Sequence, residues 1–140
     1  MKFGGTSVGS ADRIRSLGER VRENLARRPV VVVSALSGVT DLLVRGAHLA
    51  LARDSGYEEL VAQILDRHRR AVAELVAEGP GRQRLLAHVD TAVAELTALY
   101  TGVYHLAELT ARTLDAISGI GERLSYEIVA AGLDAAGIAA

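Results

Sequence analysis

The stretch Met1-Lys2-Phe3-Gly4-Gly5-Thr6-Ser7-Val8-Gly9-Ser10 ends a short apolar strand in a glycine turn and opens a helix. Two adjacent glycines let a ligand approach the backbone with no Cβ in the way, and the N–H groups at the start of a helix offer donors and a positive dipole end. Thr6 and Ser7 add hydroxyls. The sixteen basic residues are fifteen arginines and one lysine, and that lysine is Lys2. A compact, flexible ammonium suits a point contact to a phosphoryl group better than a planar guanidinium does. The stretch is not a P-loop, which needs lysine directly after its last glycine, where this chain has Gly9-Ser10. Nor does it carry the G-x-G spacing of the dinucleotide fingerprint.

Outward from this turn, Ile14, Leu17, Val21 and Leu25 recur at helical spacing, which predicts a helix over 11–28, with Ser10 as its N-cap and Pro29 as its stop. Val30 to Val33 follows as an unbroken β-branched run, which reads as a strand buried on both faces of a parallel sheet. Strand, helix and strand make a βαβ unit. Its carboxyl edge, where open α/β sheets bind ligands, holds Lys2 to Ser7 and a second polar loop, Ser34-Ala35-Leu36-Ser37-Gly38-Val39-Thr40-Asp41. Thr40 is placed to cap the next helix.

Residues 42 to about 118 read as helical almost throughout. One stripe runs from Leu60 to Val76 and another from Leu85 to Leu106, predicting two long antiparallel helices joined at Gly79-Pro80-Gly81. Thr110 is expected to cap a short helix ending at Ile117, and Ser118-Gly119-Ile120-Gly121 to break it. That places Glu122 in the first turn of a further helix that closes at Gly137, where its carboxylate would feel the dipole or receive a substrate ammonium.

With 140 residues, 49% of them hydrophobic, the chain can bury one real core. A net charge of −1 argues against a polyanion-binding surface, and Arg67-His68-Arg69-Arg70 reads as a solvated helix face, so nucleic acid is not an expected partner. Without cysteine there is neither a disulfide framework nor a thiolate metal site. His48, His68, His88 and His105 lie at least seventeen residues apart, so no metal site is expected. No apolar run approaches the ~18 residues of a membrane span, and the amino terminus is not a signal peptide, which makes cytoplasm the default location.

Taken together, Lys2-Phe3-Gly4-Gly5-Thr6-Ser7-Val8, Val32-Val33-Ser34-Ala35-Leu36-Ser37-Gly38-Val39-Thr40-Asp41 and Gly119-Ile120-Gly121-Glu122-Arg123-Leu124-Ser125 resemble, in order, the three amino-terminal signatures of the aspartate kinases. The resemblance covers the whole chain. It implies the amino acid kinase fold, an αβα three-layer sandwich on a mostly parallel sheet, here with a long helical insertion at about 42–118 like that of the lysine-sensitive and bifunctional types. It also implies phosphoryl transfer from Mg-ATP to the side-chain carboxylate of L-aspartate, at the head of lysine, threonine and methionine synthesis. Lys2 would neutralise the transferring phosphoryl group, Gly4 and Gly5 would donate backbone N–H groups, and Thr6 and Ser7 would line the same phosphate loop. Ser34 and Thr40 would contact aspartate and Glu122 would hold its ammonium.

In that family a later half carries an Arg-Gly-Gly-Ser-Asp loop and most of the nucleotide site. Two strands buried on both faces need further neighbours, and an open β-branched edge invites association. Residues 1–140 are therefore expected to be the amino-terminal half of such a catalytic domain, without the nucleotide-binding half or regulatory domains, and a poor enzyme alone. Magnesium would be held mainly through the nucleotide and the later half, with self-association left open. The rival expectations are another amino acid kinase, acting on glutamate or acetylglutamate, against which Gly121-Glu122-Arg123-Leu124-Ser125 argues, and a non-catalytic helical interaction module.

Overall fold

The computed structural model describes residues 1–140. β1 (Lys2–Phe3) pairs in parallel with β2 (Val32–Val33), with Lys2 opposite Val32 and Phe3 opposite Val33. The Val32 N–H donates to the Met1 carbonyl at 2.8 Å and the Ser34 N–H to the Phe3 carbonyl at 3.1 Å. Between the strands runs α1 (Ala11–Glu23), so the predicted βαβ unit is present and both strands end at one edge. A single 3-10 turn, Gly5–Val8, begins at the second glycine of the pair and leads to α1.

Ser10 caps α1 as expected, its Oγ accepting from the Arg13 N–H at 3.4 Å, and Ile14, Leu17 and Val21 are buried. The helix stops at Glu23 rather than Arg28. Asn24 turns its amide back onto the Arg20 carbonyl at 2.9 Å, a 3-10 turn covers Leu25–Arg27, and Arg28 takes φ 50° to reverse the chain ahead of Pro29. Leu25 drops out of the stripe and is 45% exposed.

β2 is not buried on both faces. Val31 and Val33 pack against the core, whereas Val30 and Val32 are 76% and 53% exposed. The reason is the pleat: alternate side chains face opposite ways, and α5 lies on only one side of this two-stranded sheet.

The predicted pair of long helices is present as α3 (Tyr57–Leu75) and α4 (Pro80–Leu106), and a separate helix, α2 (Val39–Leu51), precedes them. The unforeseen break falls at residues 52–56, where Arg53 adopts φ 55° and Asp54 Oδ1 accepts from the Gly56 N–H at 2.8 Å, an Asx turn. The Gly-Pro-Gly turn stands where expected: Gly79 has φ 149° and Pro80 opens α4 at a position whose N–H has no helical partner. Arg69 pairs with Asp90 at 2.7 Å between α3 and α4.

The last stretch forms one helix, α5 (Ala111–Ala135), with no break at Gly119 or Gly121. Thr110 caps it, its Oγ1 accepting from the Thr113 N–H at 3.1 Å, and Gly137, at φ 77°, follows its carboxyl end as predicted. Ile117, Ile120, Leu124 and Ile128 form one fully buried stripe through the glycines. That burial outweighs a glycine penalty of about 1 kcal/mol each.

His68 lies inside the core, which corrects its reading as part of a solvated face. Its Nδ1 sits 2.6 Å from the Ile64 carbonyl, which can only accept, so Nδ1 carries the proton and Nε2 faces the core without a partner. Burial is the main influence lowering its pKa below the usual 6.5, helped by the nearby Arg67 charge and opposed by the Ile64 hydrogen bond. Well above pH 6.5 neither folded nor unfolded chain protonates it, and its contribution to stability is complete. Below that the unfolded state binds the proton first, so stability should fall with a limiting slope of about 1.4 kcal/mol per pH unit until the lowered folded pKa is reached. Urea unfolding between pH 7 and pH 5 should show His68→Leu losing this part of the slope; an identical slope would reject it.

Candidate active site

The glycine turn and the second polar loop pack directly together. A Cβ on Gly5 would come 3.0 Å from the Ala35 carbonyl oxygen, and one on Gly9 would come 3.0 Å from Ser37 Cβ. The two loops therefore pack at a separation that favours glycine at both positions. Gly4 has open space around it, so its backbone is the part of the turn that a ligand can reach. The 3-10 turn spends the Ser7 N–H on the Gly4 carbonyl at 2.8 Å, which leaves the N–H groups of Gly5 and Thr6 without a carbonyl in that turn. Lys2 and Thr6 are exposed and Ser7 is half-buried. Lys2 stands opposite Val32, its side chain on the outward face of the sheet, and forms no ion pair.

Ser34 follows β2 immediately, half-buried, its N–H tied to the end of β1. Thr40 is exposed in the first turn of α2 and does not cap it; the cap position is Gly38, at φ 77°, with no side-chain bond. The left-handed residue already supplies the turn, and the helix starts one residue before Thr40.

Glu122 does not begin a helix. It is exposed in the middle of α5, where the amino-terminal dipole does not act, so that support for its carboxylate is withdrawn. It is nevertheless carried to the same region: the adjacent Gly121 is buried, and a Cβ there would lie 2.9 Å from Ala35 Cβ and 3.5 Å from Val39 Cγ1. The neighbour of Glu122 thus touches the neighbours of Ser34 and Thr40. Arg123 is occupied elsewhere, pairing with Glu95 of α4 at 2.6 Å.

Arg67 is a contributor that sequence reasoning assigned to solvent. From α3 its guanidinium donates to the Ser37 carbonyl, bracing the second loop from the helical side. Nothing local to Arg67 signals a contact thirty residues away. Beside it an open cleft of about 310 Å³ runs between the start of α1 and α3, lined in part by Ser10, Gln63, Asp66, Arg67 and Arg70. No group of three His, Asp or Glu side chains is placed to hold a metal ion.

The parallel βαβ unit thus carries two polar loops at its carboxyl edge, with α5 packed on the second of them. The family model of the amino acid kinase family matches residues 1–140, and the chain belongs to that family. Within it, the chain is similar to aspartokinases. It is 34% identical over 128 residues to the chloroplastic bifunctional aspartokinase/homoserine dehydrogenase of Daucus carota, with 91% of this chain and 14% of that protein covered. It is also 34% identical over 144 residues to chloroplastic aspartokinase 1 of Arabidopsis thaliana, covering 100% of this chain and 24% of the relative.

The crystal structure of Escherichia coli aspartokinase III in complex with aspartate and ADP superposes with a TM-score of 0.80 over 97% of this chain and 28% of that one. At 24% identity it supports the amino acid kinase fold. The chain therefore spans about a seventh to a quarter of the length of these relatives. No helix is long and apolar enough to cross a membrane. The plant relatives are chloroplastic by name.

Proposed function

We propose that residues 1–140 supply the phosphate turn and the amino-acid-binding edge of an aspartate kinase, which transfers the γ-phosphoryl group of ATP to the side-chain carboxylate of L-aspartate. The observation that carries this reading is convergence. Gly5 and Gly9 pack on the Ala35–Ser37 loop, and Gly121 packs on Ala35 and Val39, so three separate sequence signatures meet at one sheet edge.

The chemistry asks little of the protein beyond position and charge. An aspartate side chain has a pKa near ~3.9 and is ionised at neutral pH, so no general base is needed. A carboxylate oxygen forms the new bond to phosphorus, the bond to the bridging oxygen breaks, and ADP leaves with that electron pair. Lys2 lowers the cost of charge on the moving phosphoryl group, and the backbone N–H groups at Gly4 and Gly5 hold its oxygens, with Thr6 and Ser7 lining the turn. Ser34 and Thr40 offer hydroxyls to aspartate, and Glu122 faces its ammonium. The residues present do not fit a magnesium site, and magnesium would arrive bound to the nucleotide's phosphates.

The relatives are several times longer than this chain. We infer that the two-stranded sheet is the start of the family's three-layer sandwich, with residues 42–118 as its helical insertion. The nucleotide-binding half would be supplied by further chain, and residues 1–140 alone would turn over poorly.

Trapping the acyl phosphate with hydroxylamine tests the reading. The natural polypeptide carrying these residues should yield the aspartyl hydroxamate; a preference for glutamate would overturn it. Glu122→Gln in that protein should raise KM for aspartate about 10- to 100-fold, the worth of one hydrogen bond to a charged group, with KM for ATP little changed. A rise confined to ATP would reject the ammonium role.

A further inference from the structure

Two glycines of α5 lie two residues apart in the same helix and meet opposite surroundings. A Cβ on Gly119 would meet nothing within 4 Å, whereas one on Gly121 would come 2.9 Å from Ala35 Cβ and 3.0 Å from Leu43 Cδ1. Real Cβ atoms do not approach that closely, so α5 rests on the second loop at a distance that only glycine allows. Leu43 Cδ1 is the end of a flexible side chain and can turn aside, but Ala35 Cβ is fixed to the backbone. The contact is flanked on all sides by the residues assigned to the amino acid: Ser34 precedes Ala35, Thr40 follows Val39, and Glu122 follows Gly121.

We propose that Gly121 is a positioning residue for the amino-acid substrate, its missing side chain setting the gap between Glu122 on α5 and the hydroxyls of the Ser34–Thr40 segment. The inference rests on the aspartate kinase reading. An amino acid held by its ammonium at one wall and by its reacting end at the other is measured by that gap. Adding one methyl at Gly121 drives the walls apart by a fraction of an ångström to an ångström, enough to misplace a bound carboxylate. The phosphate turn meets the same loop at the Ala35 carbonyl and at Ser37, whereas Gly121 meets it at the Ala35 methyl, so the nucleotide side should feel the change less.

The test uses the natural polypeptide that carries these residues. Gly121→Ala should raise KM for aspartate about 10- to 100-fold with KM for ATP within about twofold of the parent. Adding Ala35→Gly, which removes the fixed atom in the way, should restore most of the aspartate KM, and Gly119→Ala should leave both constants unchanged. If Gly121→Ala gives no folded protein by circular dichroism, Ala35→Ser, which adds one atom at the same contact, is read in the same way. An unchanged aspartate KM, an equal rise in both constants, or no rescue by Ala35→Gly overturns the proposal. A parent protein that forms no aspartyl hydroxamate overturns the functional reading as well, so the two failures are told apart.

Discussion

Replacing Lys2 with alanine is expected to lower turnover with ATP and aspartate by about 10²- to 10³-fold, the usual cost of removing one preorganised charge or donor from a transferring group. The unfolding midpoint should not move. Lys2 is exposed at the end of β1 and forms no ion pair, so the fold draws little from its side chain. Its backbone remains free to keep the register with Val32. Lys2→Arg should recover only part of the loss, because a planar fork on a longer stem cannot place a single point charge as an ammonium does. Steady-state kcat for both variants, measured beside their urea midpoints, decides the matter. Unchanged kcat in Lys2→Ala would remove the role, and a parallel loss of stability would make it structural.

How much of this was legible in the sequence follows the range of the forces involved. The Ser10 and Thr110 caps, the Gly-Pro-Gly turn and the parallel pairing of Lys2–Phe3 with Val32–Val33 are decided within a few residues or by an unbroken β-branched run, and each is present. The errors arise where local chemistry met a distant partner. Gly119 and Gly121 look like a helix break, but Gly121 is where α5 packs on Ala35, and the buried stripe from Ile117 to Ile128 carries the helix through. Arg67 and His68 look alike in a basic run. One crosses to the Ser37 carbonyl and the other turns into the core, a division set by helix phase against neighbours that no local pattern names. At the sheet edge, glycines and hydroxyls mark the two polar loops locally, whereas the contacts that join them, Gly5 and Gly121 on Ala35, link residues far apart in the chain.

The largest stability effect is expected at Gly46, within α2, where Gly46→Ala should cost about 3 kcal/mol even though alanine is the better helix former by about 1 kcal/mol. Tyr100 of α4 is fully buried, and its hydroxyl donates to the Leu43 carbonyl at 2.7 Å. Burial holds that phenol well above its ordinary pKa, so it stays a protonated donor. The ring also packs edge-on against Tyr57, centroids 5.5 Å apart. To reach Leu43 it lies across Gly46, where a Cβ would come 2.5 Å from the hydroxyl oxygen and 2.6 Å from the carbon that bears it. Alanine there must push α4 away from α2 or turn the ring out of its hydrogen bond, and the packed neighbours oppose both. Tyr100→Phe alone should cost about 1 kcal/mol, the worth of the lost hydrogen bond. Combined with Gly46→Ala it should cost less than the two separately, because it removes the nearest clashing atom. Equilibrium urea unfolding of the four proteins in this cycle gives the coupling directly. Additive losses would mean that α2 and α4 do not depend on this contact for their spacing, and a stabilised Gly46→Ala would mean that helix propensity outweighs the clash.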